Sequence, residues 1–174
     1  LRVPGAWDPF ESAVRVLLGQ QISVAGATTL AGRLVEALGA PVPGLDAMRL
    51  THVFPPATRV AETSVERLRR IGLPEARARA IRDFARAYAT ERIHLDSAAS
   101  FPATIEALEA LPGIGPWTAH LIALRACGQP DAFPSGDLGL RRVAGRLTGS
   151  SGPLPAPAVE AMAEAWRPQR ALAA

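Results

Sequence analysis

The chain contains no lysine: all nineteen residues counted as Lys or Arg are arginine. No side chain in it can form a Schiff base, and chemistry that depends on one is excluded. Asparagine is missing as well. Cysteine occurs once, at Cys127, which rules out an internal disulfide, a four-cysteine zinc site and a four-cysteine iron-sulfur cluster. Cys127 therefore reads as a small buried hydrophobe. The three histidines, His52, His94 and His120, have no metal-ligand spacing to one another or to Cys127, so no structural zinc is expected. Also lacking are a spanning apolar run, a charged-then-apolar leader, a low-complexity tract and a fixed-period repeat. Neither membrane attachment nor a solenoid is expected.

What is present is 174 residues, 48 % of them hydrophobic, enough to bury a real core in one domain or two closely packed ones. The net charge of +3 is modest, so charge alone does not name a polyanionic partner. Residue 1 is Leu rather than Met, and the chain reads as a piece of a longer cytoplasmic protein with a further domain expected upstream.

Asp8-Pro9-Phe10-Glu11 carries an N-cap, a proline at the first helical position and a glutamate three residues after the cap, which predicts a helix to about Leu18. Gly19-Gln20-Gln21-Ile22 interrupts it. Ser23 can cap a second helix to about Leu38, and Gly39 ends that helix ahead of a proline-rich loop. Thr63 or Ser64 can start a short helix to Arg70. Pro74 to Thr90 is amphipathic, with Ala78, Ile81, Phe84 and Ala85 on one face. Its arginines, Arg77, Arg79, Arg82 and Arg86, read as a solvated face. Pro102 to Ala110 and Pro116 to Cys127 flank a glycine turn, and further helices are expected at Gly136 to Leu147 and Pro157 to Trp166. No alternating strand pattern competes, so the chain is expected to be all-α, with short helices joined by Pro and Gly. Gly128 to Pro134 is the expected internal boundary, leaving a cleft between two helical halves.

The glycine turn lies in Leu111-Pro112-Gly113-Ile114-Gly115-Pro116-Trp117-Thr118-Ala119. Gly113 and Gly115 can hold a tight turn with bare N–H groups pointing outward. The second helix begins there, where its unpaired donors and positive dipole end favour an anion such as a DNA phosphate. Glycine turns between helices also serve as packing or C-cap features. Asp137, in Phe133-Pro134-Ser135-Gly136-Asp137, follows Gly115 by twenty-two residues. An aspartate in that setting commonly caps the next helix. It can also present a carboxylate to a substrate, and both can hold at once.

Taken in order, Leu18-Gly19-Gln20-Gln21-Ile22-Ser23, the glycine-turn stretch and Asp137 resemble the helix-hairpin-helix superfamily of DNA base-excision glycosylases. Within it the likeness is to bacterial 3-methyladenine DNA glycosylase II, or AlkA-type, enzymes, over nearly the full chain. The resemblance implies a multi-helical helix-hairpin-helix glycosylase fold of two helical subdomains with an active-site cleft between them. Residues 10–129, with the hairpin at about 102–127, would form one subdomain, and residues 130–174 plus 1–9 the other, carrying Asp137. It also implies base-excision repair of double-stranded DNA in a bacterial cytoplasm: an alkylated purine such as 3-methyladenine is flipped out and its N-glycosidic bond hydrolysed, leaving an abasic site. The alkylated base already carries positive charge and departs readily, and a carboxylate can stabilise the oxocarbenium-like sugar left behind. Asp137 is the implied catalytic residue. Without lysine the activity is expected to be monofunctional, with water as nucleophile and no strand nicking. The alternative is a non-catalytic helix-hairpin-helix DNA-binding module of a larger repair or regulatory protein, which would need the glycines and not the carboxylate.

The same resemblance assigns Trp117, Leu121 and Gln20 to the base pocket. Trp117 stands where strand-nicking relatives carry lysine, and its face can stack on an electron-poor base; without that context it is an ordinary core aromatic. Leu121 falls where an aromatic lines the pocket. Gln21 sits where an apolar wedge is common and can instead hydrogen-bond the orphaned base. Gly113, Gly115, the Thr118 hydroxyl and Arg141 are assigned to DNA phosphates, Arg141 being equally able to pair with nearby acids. Backbone carbonyls of Glu109, Leu111 and Ile114 can hold a structural Na+ or K+, and no cofactor is required. Asp131, the nearest competing carboxylate, reads as a solvated loop residue. A monomer on DNA is expected.

Overall fold

The computed structural model describes residues 3, 5–44, 51–96 and 100–174. Among them the chain is all-helical: α1 (Pro9–Leu18), α2 (Val24–Leu38), α3 (Ala57–Glu62), α4 (Val65–Arg70), α5 (Glu75–Ala89), α6 (Phe101–Glu109), α7 (Pro116–Arg125), α8 (Leu138–Leu147) and α9 (Ala156–Ala163). Two short 3-10 turns, Glu164–Trp166 and Arg170–Ala173, follow. The extended pairing among the described residues is one isolated antiparallel bridge between Pro41 and His52. None of the described helices is long and apolar enough to cross a membrane.

Local capping starts these helices where the sequence suggests. The Ser23 hydroxyl accepts the Gly26 N–H at 3.1 Å and the Ser64 hydroxyl that of Arg67 at 3.2 Å, each satisfying a donor that helix geometry leaves unpaired. Helix α3 was not expected: six residues are too few to be stable alone, and packing against α5 sustains it. Helix α7 stops at Arg125, short of the expected Cys127, and Gly128 then turns the chain at φ +64°.

The chain divides into two compact units. One comprises Phe10–His94 and Ala110–Ile114. Its core is the apolar faces of α1, α2, α4 and α5, with Val14, Leu17, Leu34, Leu68, Ile81 and Phe84 almost fully removed from water. Phe10 stacks on Phe84 with ring centroids 5.9 Å apart and on Tyr88 at 5.3 Å, while Phe54 meets it edge-on at 6.1 Å. Such pairs each add about 0.5–1.5 kcal/mol beyond the area they bury.

The other unit comprises Leu1–Pro9, Leu95–Glu109 and Gly115–Ala174. It holds one apolar cluster of Ala123, Leu124, Ala132 and Ala171 and a second of Phe133, Ala144, Val159 and Ala163. The stretch Gly128 to Pro134, expected as a boundary, runs inside this unit. Gln129 donates its N–H to Ala123 O at 3.0 Å and Ala132 packs on Ala123, so α6 and α7 group with residues 130–174.

Candidate functional site

The hairpin turn begins with a backbone demand. Gly113 has φ +87°, a left-handed conformation that costs an L side chain about 1–2 kcal/mol. A Cβ there would also stand 2.9 Å from Ala80 Cβ on α5. Glycine is thus required twice over at this position, by the dihedral and by the packing. The Ile114 N–H closes the turn on Leu111 O at 3.1 Å, with Leu111 and Ile114 buried and Gly113 exposed.

In the same unit, the turn between α1 and α2 is tied to this glycine. Gln20 Nε2 donates to Gly113 O at 3.1 Å, and Arg77 Nη2 donates to Gln20 O. The structure therefore brings Gln20 to the hairpin turn, a backbone-supporting place that the base-pocket assignment did not include. Gln21, next in the chain, is exposed and held at φ +57°, a region a non-glycine residue occupies only under local strain. Arg77 is accordingly a structural clamp, not part of a solvated arginine face.

In the other unit, Gly115 is the N-cap of α7 and Pro116 its first residue. Gly115 is exposed at φ −95°, and a Cβ there would meet no atom within 4 Å. Its use is to leave open space above the first N–H groups of α7, at the positive end of the helix. Thr118, expected to offer its hydroxyl to a phosphate, is instead only 4 % exposed, because it lies with Ala119 and Ile122 on the inward face of α7.

Asp137 caps α8: its Oδ1 accepts the N–H groups of Gly139 at 2.8 Å and Leu140 at 3.2 Å. Its Oδ2 accepts Trp117 Nε1–H at 3.2 Å. The carboxylate is half-buried, and three of its roughly four acceptor positions are filled, which holds both oxygens in a fixed orientation. Trp117 lies along the loop that leads to Asp137, with its Cβ 3.5 Å from where a Gly136 Cβ would be. Beside it is a hollow of about 290 Å³ lined by Trp117, His120, Phe133, Ser135 and Glu160 among others. Ser135 Oγ–H donates to Glu160 Oε2 at 3.3 Å across it.

Leu121 is not part of that lining; it packs, half-buried, on the Ala123–Leu124–Ala132–Ala171 cluster. Arg141 is engaged on its own backbone neighbourhood, Nε donating to Leu154 O at 2.7 Å, while Arg142 next to it is exposed. Glu109 is exposed at the end of α6.

The sequence reading missed how Asp131, Arg170, His120 and Arg77 are engaged. Asp131, read as solvated, is half-buried and gripped by Arg170, whose Nε and Nη2 donate to its two oxygens at 2.8 and 3.0 Å. Arg170 is only 2 % exposed, and Arg167 and Glu164 complete the cluster. Burial alone would push the Asp131 carboxyl up, but the hydrogen bond and charge of Arg170, joined by Arg167, hold it below its ordinary value. His120 accepts the Phe133 N–H on Nδ1 at 3.1 Å, and burial, followed by the nearby Arg170 charge, holds its imidazole below the usual histidine range. Its place one turn after Trp117 on α7 was the available signal; for Arg170 and Arg77 no sequence signal existed.

An all-helical chain with a left-handed glycine turn ahead of an open helix N-terminus, and with an aspartate capping the second helix beyond it, defines a helix-hairpin-helix protein of the DNA glycosylase fold. The family model for "HhH-GPD superfamily base excision DNA repair protein" matches residues 14–168, and the chain belongs to that family. It is 42 % identical over 174 residues to a Mycobacterium tuberculosis protein named probable bifunctional transcriptional activator/DNA repair enzyme AlkA, of which it covers 33 %. It is 33 % identical over 173 residues to DNA-3-methyladenine glycosylase 2 of Escherichia coli, covering 58 % of that protein. The chain thus spans a third to somewhat over half the length of these curated relatives, while they match 99 % of it. Among solved structures, a 3-methyladenine DNA-glycosylase from Archaeoglobus fulgidus superposes with a TM-score of 0.80 at 29 % identity, over 95 % of this chain and 55 % of that one.

Proposed function

We propose that this chain carries the catalytic region of a monofunctional DNA glycosylase that removes alkylated purines such as 3-methyladenine from double-stranded DNA. The observation that carries the reading is the Trp117–Asp137 pair at the start of α8, in a chain of this family. A carboxylate oriented by three donors keeps its charge in one place. It can stabilise the positive sugar that forms as the C1′–N bond breaks and the electron pair leaves with the base. Water then bonds to C1′ and releases its proton to solvent. With three of its acceptor positions already taken, the carboxylate is arranged for electrostatic stabilisation. Trp117 supplies the aromatic face for an electron-poor base, and the absence of lysine leaves no side chain for the imine step that strand cleavage would use.

The amides around Gly113 and Gly115 are the proposed phosphate contacts, and Gln21 the residue that enters the gap left by the flipped nucleotide. The carbonyls of Glu109, Leu111 and Ile114 are proposed ligands for a monovalent cation. Leu111 O, though it accepts Ile114 N–H, keeps a second lone pair, and neutral carbonyls suit Na+ or K+. The test is incubation with alkylated duplex DNA, with chromatography of released bases and strand integrity followed before any alkali. Methylated purines released without nicking, and not by Asp137→Asn that still binds DNA, are expected. DNA binding without base release would overturn the catalytic reading.

A further inference from the structure

We infer that neutral His120 is a positioning residue: it clasps the backbone at Phe133 and thereby fixes the loop that presents Asp137, so that protonating one imidazole releases the loop. Its consequence for catalysis rests on the glycosylase reading; its geometry does not.

The clasp is the 3.1 Å hydrogen bond from Phe133 N–H to His120 Nδ1. Accepting there requires a bare Nδ1, so the neutral ring carries its proton on Nε2. The imidazolium has no acceptor at either nitrogen, so protonation breaks the bond and sets two donors against each other. Phe133 is 3 % exposed, so its N–H has little water to turn to when the clasp opens.

From Phe133 the chain reaches Asp137 in four residues whose backbone is closed by two local bonds: Ser135 N–H donates to Phe133 O at 2.9 Å and Asp137 N–H to Pro134 O at 2.8 Å. A hold at Phe133 is therefore a hold on the aspartate. The other end of the loop is held by Trp117 Nε1 on Asp137 Oδ2. His120 and Trp117, three residues apart on α7, thus grip both ends of one short segment. Upstream, Arg170 grips Asp131 and the Ala171 N–H donates to Pro130 O at 2.9 Å, so the histidine closes a series of anchors that begins at Pro130.

The surroundings of the ring favour the closed state. Phe101 of α6 meets it edge-on with centroids 5.6 Å apart. Burial and the Arg170 charge disfavour the imidazolium, against the opposing carboxylates of Glu160 on α9, Glu109 on α6 and Asp131; the balance lies below the ordinary histidine value. The clasp is closed at neutral pH and opens only on the acid side.

The test compares this chain with His120→Asn, whose Oδ1 can accept the Phe133 N–H at every pH, and with His120→Phe, which cannot. Nitrogen-15 NMR from neutral to about pH 5 should show an unprotonated Nδ1 on His120 at neutral pH. The amides of Phe133, Ser135 and Asp137 should move together with its ionisation, and that movement should be absent in His120→Asn. Single-turnover base release should fall on acidification in the unaltered chain and stay level in His120→Asn. In His120→Phe it should drop on the order of a hundredfold at all pH values, with DNA affinity retained, the penalty of a slightly misplaced catalytic group. A proton on Nδ1, loop amides indifferent to His120, or His120→Asn as impaired as His120→Phe would overturn the inference. If no variant releases base, the glycosylase reading fails while the amide titration still decides the clasp.

Discussion

The two hairpin glycines make a sharp quantitative prediction, because the structure gives them different reasons to be glycine. Gly113→Ala must place an L residue at φ +87°, for about 1–2 kcal/mol, and a methyl 2.9 Å from Ala80 Cβ, an overpacking worth about 1–3 kcal/mol. Both Ala80 and Gly113 are backbone-fixed, one by α5 and the other by its bond to Gln20, so neither yields cheaply. The sum is a loss of about 2–5 kcal/mol in stability. For a chain of this size that lowers Tm by roughly 4–20 °C. The steric part is separable: in an Ala80→Gly background only the dihedral cost remains, so a double-mutant cycle should return a coupling of about 1–3 kcal/mol. Gly115→Ala, extended and with nothing within 4 Å of its Cβ, should cost no more than about 1 kcal/mol as a poorer helix cap.

Urea melts of the four variants and the parent measure all of this without any substrate. DNA binding then separates the roles further. Gly115→Ala, nearly as stable as the parent, should bind duplex DNA about tenfold or more weakly if its methyl displaces a phosphate from the helix amides, the loss of one charge-assisted hydrogen bond. The reasoning is refuted if Gly113→Ala lies within about 0.5 kcal/mol of the parent, the scale of an unremarkable surface change, or if Ala80→Gly leaves its cost unaltered.

Asp137→Ala removes the acceptor for Gly139 and Leu140 N–H and should cost about 0.5–2 kcal/mol, whereas Asp137→Asn keeps an acceptor and should melt close to the parent. Equal melts for the two would mean that the cap contributes nothing. Arg170→Met removes the main partner of the half-buried Asp131 while leaving Arg167 beside it, and should destabilise by about 1–3 kcal/mol, with partial recovery when Asp131→Asn is added. Because the folded value of Asp131 lies below the ordinary one, its share of stability is complete above pH 4 or so and is lost as pH falls through the folded value, and the acid melts of Arg170→Met, which keeps only Arg167 beside Asp131, should show a smaller loss. Cys127 is buried, and that burial, helped by the Asp96 charge, pushes its thiol up to about 12. A maleimide at pH 8 should therefore leave it unlabelled until urea unfolds the chain, and prompt native labelling would contradict its placement.

What the amino-acid sequence by itself determined is what is written within one helical turn. Ser23, Ser64 and Asp137 accept from N–H groups two or three residues onward, so their caps are visible as local patterns, as are the helices they start. Gly113 could be recognised as a turn residue for the same reason, since a left-handed φ is a demand a single residue meets. The tertiary structure alone decided the partners. Gln20 finds Gly113 across 93 positions, Arg170 finds Asp131 across 39, Trp117 finds Asp137 across 20 and His120 finds Phe133 across 13. No periodicity encodes such pairings, because each depends on where the packing of several helices brings two backbones. That packing also turned Thr118 inward and buried the Arg170 guanidinium, and polarity read along the chain would have placed both outside. A capping aspartate is a local fact, whereas a carboxylate aimed by an indole, on a loop whose Phe133 amide is held by a histidine, exists only once the helices are assembled.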